Sequence, residues 1–397
     1  MIIFFVIFLS QCISAFNFQV TFSPYLFFNE IPFLSFSRDK LKELEDKEKI
    51  SRISFMQEHW LWHENFLTKK SEETFQELSP LCGKGIFIAV IDSCVSNSNN
   101  SNGFVPRIFS IETACLAKEG FLRIETHFEE ASEFIGDNRK RFAQLMKKNT
   151  FYSEYIKKNH GAITCSFISQ YAPFATIIMI PIFDEYGFST KEQLYKSLLK
   201  AYQYKIDIVH LGLQIYDFDI SQLLDAKIIT LLKKFPYVVA SAGNNASLNK
   251  LLAYPAACEN IISVGSFYKN SVCSFSQGMP QFLMPGKNLI TPFWIDFLNE
   301  NIMISLSGTS FSAALMTGYL ALLLAENRNK LSRDQIMQLL YFGSHKLDET
   351  WNNKTIYGYP NFYIILKTLH RLISLKRIKK YTFCKNFMTL LKDNYFE

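Results

Sequence analysis

The chain has no C-x-x-C pair: its eight cysteines stand at 12, 82, 94, 115, 165, 258, 273 and 384, none at a metal-ligand spacing. A cysteine-based metal or redox motif is thereby excluded. Loss of Cys12 with a leader would leave seven, so cysteine usage does not fix the compartment. Charge of one sign is scarce too. Lys+Arg 42 against Asp+Glu 36 leaves a net +6 over 397 residues, and no basic patch is interleaved with aromatics, which argues against a nucleic-acid partner. No internal repeat occurs, and no acidic cluster matches a calcium loop. His59 and His63 lie four apart beside Glu64, without a third ligand spaced to complete a zinc site. What is present is a hydrophobic fraction of 48%, enough for a sizeable core. The length suits one large α/β domain plus a smaller element, or two domains.

The apolar run at residues 2–9 is too short to span a bilayer as a permanent helix. Followed by Ser10, Gln11, Cys12, Ile13, Ser14 and Ala15, it reads as a secretory signal peptide over residues 1–15. Its n-region lacks Lys and Arg, and a buried N-terminal strand is the other reading. A lipoprotein site at Cys12 is disfavoured by Gln11. The expectation is a secreted or cell-surface protein. Residues 16–78 form an aromatic-rich, irregular N-terminal extension, residues 79–368 the main domain, and residues 369–397 a basic tail. In that tail Lys376, Arg377, Lys379 and Lys380 accompany Leu369, Leu372 and Ile373. It reads as a solvated amphipathic helix, with weak contact to a membrane surface as the second reading and no transmembrane span.

From Gly83 the texture changes. Residues 86–91 (IFIAVI) are a continuous apolar run of strand length, as expected of a strand covered on both faces. Similar runs recur at 175–182, 206–213, 237–240 and 261–264. Helical stretches are predicted at 161–170, 191–204 and 221–234, and a long apolar helix at 311–325. This alternation predicts a three-layer α/β/α sandwich with a mainly parallel central sheet. In such sheets working residues gather beyond the carboxyl ends of the strands. Residues 93–159, with an Asn/Ser-rich turn at 96–103 and a charged stretch at 129–148, read as a surface insertion.

Against that frame an acid, a base, an amide and a nucleophile each fall at a strand end or a helix start. They are Asp92 in Ile91-Asp92-Ser93, His160 in Asn159-His160-Gly161, Asn244 in Ala242-Gly243-Asn244 and Ser310 in Ser307-Gly308-Thr309-Ser310. A serine needs a base to become a nucleophile at neutral pH, and His160 is the candidate. An imidazole needs a partner that fixes its tautomer, and Asp92 supplies one. The Ser310 backbone N–H and the Asn244 side-chain amide would receive the oxyanion. Gly308 and Gly243 would let the backbone turn tightly there. Singly each residue has a plain reading: Asp92 or Ser310 as a helix cap, His160 as a helix-start residue, Asn244 in an ordinary turn. Together, in the order Asp, His, Ser, they form one of the known arrangements of a catalytic triad.

The chain resembles the subtilisin-like serine proteases, the subtilases, over roughly residues 83–369. The run from Gly83 to Ser93 is similar to the family's aspartate strand, and Asn159-His160-Gly161 followed by Tyr171-Ala172-Pro173 to its histidine helix. Val238 to Asn244 is similar to its oxyanion segment. Tyr254-Pro255-Ala256, Val264-Gly265-Ser266, Ser274-Phe275-Ser276 and Met284-Pro285-Gly286 resemble the connecting blocks, and Tyr357-Gly358-Tyr359 with Asn361 the closing segment. The resemblance implies an endopeptidase acting on protein or peptide substrates through Asp92, His160 and Ser310, by an acyl-enzyme. It also implies no cofactor for catalysis, structural calcium in many members, and substrate contacts from Gly212, Leu213, Gln214, Ala242 and Gly243. Residues 16–78 fall where secreted members carry a propeptide, so a short atypical prosegment is one expectation and a packed extension the other.

Several positions depart from the family pattern. Cys94 replaces a usual glycine, which would bring a side chain near the cleft floor. Ala162-Ile163-Thr164-Cys165-Ser166 replaces the usual Thr-His-Val-Ala-Gly, and Ala314 a usual proline. The family's Ser-Leu-Gly-Gly, whose backbone pairs with substrate, is here Gly212-Leu213-Gln214-Ile215. Gln214 and Ile215 are expected to crowd the cleft and narrow specificity. These departures keep a second reading open, a catalytically impaired binding protein on the same scaffold. A serine esterase is disfavoured by the lack of a G-x-S-x-G elbow.

Overall fold

The computed structural model describes residues 81, 83–93, 108–110, 122–123, 159–172, 174–183, 188–215, 221–247, 251–268, 271–295, 300–345, 350–351, 354–355 and 358–374. Strands β1 (Phe87–Asp92), β2 (Ile108–Ser110) and β3 (Leu122–Arg123) precede helix α1 (His160–Tyr171). β4 (Thr176–Pro181) and β5 (Phe188–Ser189) lead to α2 (Lys191–Gln203), and β6 (Ile208–Leu211) and β7 (Gln214–Ile215) to α3 (Leu223–Leu232). Then come β8 (Tyr237–Ser241), β9 (Ile262–Tyr268), β10 (Ser271–Val272), β11 (Phe282–Pro285) and the hairpin β12 (Leu289–Ile295) with β13 (Glu300–Leu306). Helices α4 (Thr309–Asn327), α5 (Arg333–Phe342) and α6 (Phe362–Ser374) complete the order.

The central sheet runs β10-β9-β8-β6-β1-β4-β2, with β11 also on β9. Every pairing is parallel except β9 with β10. The side-chain period of a strand divides the core in two. Ile88 and Val90 join one cluster with α1, α4, α5 and α6, while Phe87, Ala89 and Ile91 join another with α2 and α3. The result is the expected α/β/α sandwich. β1 lies between β4 and β6, where successive crossovers change side, and that is the switch point at which such sheets open a crevice.

α4 is apolar on every face and is buried along nearly its whole length, so it is a core helix. It crosses α1 closely: a Cβ on Gly318 would lie 2.4 Å from Ile168 O. Three sequence expectations change. The run 206–213 breaks into β6 and a separate β7, because Gly212 and Leu213 leave the sheet. The insertion is not surface alone, since Ile108 to Ser110 add an edge strand to the central sheet and β3 enters a small antiparallel sheet with β5 and β7. These strands are too short to register as periodic runs. The packed domain also passes residue 368: Leu369 and Leu372 on α6 are buried in the core. The signal segment, residues 16–78, Cys94, the histidines at 59 and 63, and the tail beyond 374 lie outside the described residues.

Candidate active site

Asp92 closes β1 and is fully buried. Both its carboxylate oxygens face one nitrogen, His160 Nδ1, at 2.8 and 2.9 Å. The Ser93 amide donates to Oδ1 at 2.6 Å, and Thr164 Oγ1 reaches Oδ2 at 3.4 Å. Thr164 belongs to the departure block after the histidine, so that change adds a contact to the acid. Because Nδ1 must donate to the carboxylate, the hydrogen-bond network assigns the lone pair of neutral His160 to Nε2. That atom is buried without a protein partner.

The start of α1 is pressed onto the chain leaving β1. The Gly161 amide donates to Ser93 Oγ at 2.8 Å, and a Cβ on Gly161 would stand 2.3 Å from Ser93 O and 2.6 Å from Met179 Cε. Only glycine fits after this histidine.

Ser310 is the second residue of α4, where the backbone N–H has no intrahelical acceptor. Its Oγ donates to Gly212 O at 3.0 Å, and no hydrogen bond joins it to His160. Gly212 nonetheless borders both groups. A Cβ there would be 2.9 Å from Asp92 Oδ2 and 3.4 Å from His160 Cε1. The His160 ring also lies 5.4 Å, centroid to centroid, from the ring of Phe311, next to Ser310. Acid and base are thus joined, and base and nucleophile converge on one glycine without bonding each other.

Asn244 is oriented by Thr309. Its Oδ1 accepts from the Thr309 amide at 2.8 Å and from Thr309 Oγ1 at 2.9 Å, while the Gly243 amide donates to Thr309 Oγ1 at 3.2 Å. With Oδ1 so committed, Nδ2 is the end turned to the start of α4, 3.7 Å from where a Cβ on Gly308 would stand. Gly243 has φ +104°, as expected for a tight turn, whereas Gly308 is extended and would have room for a Cβ. Sequence reading missed Gln277. Its backbone N–H donates to Gly243 O at 3.0 Å, its Oε1 accepts from the Asn245 backbone N–H at 3.0 Å, and its Nε2 donates to Leu251 O at 3.1 Å. It clamps the turn on both sides of Asn244; only its position after Ser274-Phe275-Ser276 could have flagged it.

The expected substrate-contact residues divide. Gly212 lies at the site, and Gln214, two residues further along the chain, is half-buried. Leu213 and Ile215 instead point into the core against α2 and α3, so Ile215 does not crowd the cleft. Alternation along the strand explains this: Leu213 and Ile215 share one face and Gln214 takes the other. Ala242 is fully buried, with its N–H on Val264 O and its C=O on the Ala253 amide.

A second histidine, His210 on β6, is also fully buried. Thr317 Oγ1 donates to Ala313 O at 2.8 Å and lies 2.9 Å from His210 Nδ1, so that nitrogen carries the proton and Nε2 the lone pair. Nε2 has no protein partner and would be 3.2 Å from a Cβ on Gly212. Burial pushes its pKa down to about 4; Asp92 opposes the shift and His160 adds to it. The Cys165 thiol is pushed well above its ordinary value by burial and then by Asp92, so it stays un-ionised. Among the described residues, no three His, Cys, Asp or Glu side chains converge as a metal site would require.

A sheet switch point lined by an aspartate, a histidine and a serine is the architecture of a subtilisin-type protease domain. The profile of the subtilase family matches residues 83–359, and the chain belongs to that family. It is 26% identical over 335 residues to the serine protease AprX of Bacillus subtilis, covering 72% of this chain and 67% of that protein. It is 30% identical over 144 residues to the subtilase-type proteinase RRT12 of Saccharomyces cerevisiae, covering 30% of this chain and 29% of that protein. The fold is shared with the solved prenylagaramide maturation protease PagA at 17% identity and TM-score 0.50, covering 74% and 98% of the two chains. A mutant of the PatA protease domain gives 18% identity, TM-score 0.51 and coverage of 75% and 98%.

Proposed function

We propose that this chain is a serine endopeptidase in which Asp92, His160 and Ser310 act as a triad. The observation that carries the reading is the His160 ring: Nδ1 is held by both Asp92 oxygens and Nε2 is left with a lone pair, beside the residue that holds Ser310 Oγ. In the reaction Ser310 turns from Gly212 O to His160 Nε2, gives up its proton and attacks the peptide carbonyl. Asn244 Nδ2 and the Ser310 N–H receive the oxyanion. His160 then protonates the leaving amine, and water repeats the sequence on the acyl-enzyme. The half-buried Gln214 restricts the peptides accepted. With the leader read at residues 1–15, the place of action is outside the cell or at its surface.

Cleavage of a peptide library followed by mass spectrometry tests this. Processed wild-type protein is expected to cut at a narrow set of sites, and the Ser310→Ala chain at none. Equal cutting by both, or none by folded wild-type protein, would reject the reading. The second outcome favours a non-catalytic binding protein, toward which the Ser310–Gly212 hydrogen bond points.

A further inference from the structure

β3 is the middle strand of a three-stranded antiparallel sheet in the order β5-β3-β7. Leu122 pairs with Ser189 on one side and Ile215 on the other, and Arg123 with Phe188 and Gln214. β7 starts two residues beyond Gly212, whose carbonyl holds Ser310 Oγ. Because Leu122 faces Ile215 and Arg123 faces Gln214, β3 advances toward Gly212 and the nucleophile as its numbering rises. β5 and β7 do not pair with each other; they stand two strand spacings apart, about 9.5 Å, which is the width of one inserted strand. A strand added between two such edges is peptide capture by β-augmentation. A second observation agrees. His160 is fully buried and Ser310 is 3% exposed, whereas a peptidase must admit a peptide carbonyl to both.

We propose that β3 is an internal occupant of the peptide-binding slot, so that the chain's own insertion between Asp92 and His160 closes the site against peptides in trans. This rests on the peptidase reading of the same site. Tethering places the occupant at an effective concentration of order millimolar, so an incoming peptide competes poorly until β3 withdraws. In an antiparallel pair a residue's N–H and C=O face the same neighbour, so Leu122 and Arg123 serve opposite sides of the slot. Replacing both by proline removes a donor on each side.

The test is peptide binding in the Ser310→Ala background, which needs no turnover. The probe is a fluorescein-labelled peptide with the sequence of residues 118–127, read by fluorescence anisotropy. Adding Leu122→Pro and Arg123→Pro is expected to tighten binding at least tenfold, with the thermal midpoint unchanged. Equal affinity with and without the prolines would overturn the proposal. Should the double variant not fold, hydrogen exchange on the Ser310→Ala chain decides: protected amides at 122 and 123 support the strand, and exchange at random-coil rates rejects it. Failure of the peptidase reading would show separately, as absent turnover in a folded chain that carries both prolines and an intact Ser310, with the binding contrast retained.

Discussion

His160 Nδ1 sits in the fork of Asp92, 2.8 Å from one carboxylate oxygen and 2.9 Å from the other. A carboxylate so placed fixes the ring's tautomer and, in the proposed mechanism, steadies the imidazolium that attack by Ser310 would form. Asp92→Asn keeps the shape but admits the wrong tautomer. Steady-state kinetics should show kcat down by about 10⁴ with KM little changed. A fall of less than tenfold would remove Asp92 from the mechanism.

Asn244 holds Thr309 through Oδ1, and the proposed mechanism gives its Nδ2 a second job as oxyanion donor. Asn244→Ala should lower kcat by about 10²–10³. It should also cost about 1–3 kcal/mol of stability, since the buried Thr309 amide loses its acceptor. Asn244→Asp retains the acceptor, so stability should return while kcat stays low; recovery of kcat would assign Asn244 a purely structural role.

His210 makes stability depend on pH. Its pKa is about 4 in the folded chain, against an ordinary 6.5, so between those values the unfolded state binds more protons. Stability is therefore full above pH 6.5 and falls on acidification until about pH 4, by about 3 kcal/mol from this group. Urea unfolding across that range should show the slope, and His210→Gln should flatten it. An unchanged slope in the variant would place the pH dependence elsewhere.

Gly161→Ala drives a Cβ to 2.3 Å from Ser93 O. Overpacking of this kind costs about 1–3 kcal/mol, and the displaced α1 start should move His160 off Asp92. The denaturation midpoint and kcat should fall together; a variant with wild-type stability and kcat would contradict the tight junction.

The central fold was legible because its strands are buried on both faces and read as unbroken apolar runs. Asp92, His160, Asn244 and Ser310 were legible because each occupies an element end. Ile215 was misjudged, since a two-residue strand gives too little pattern to show which face meets the core. Gln277 and His210 act through side chains that reach across the fold to Asn245 and Thr317, and sequence order carries no trace of such distances. β3 was invisible for the reason that hid β2: a pair or triplet of residues has no period, and its partners lie at Phe188 and Gln214.

The central claim is that Ser310 is a nucleophile activated by His160. Intact-mass spectrometry after treatment with a fluorophosphonate tests it most directly. The account predicts one adduct, located on Ser310, absent from Ser310→Ala and slowed at least a hundredfold in His160→Ala. Folded wild-type protein that acquires no adduct, or acquires it equally in all three chains, would contradict it.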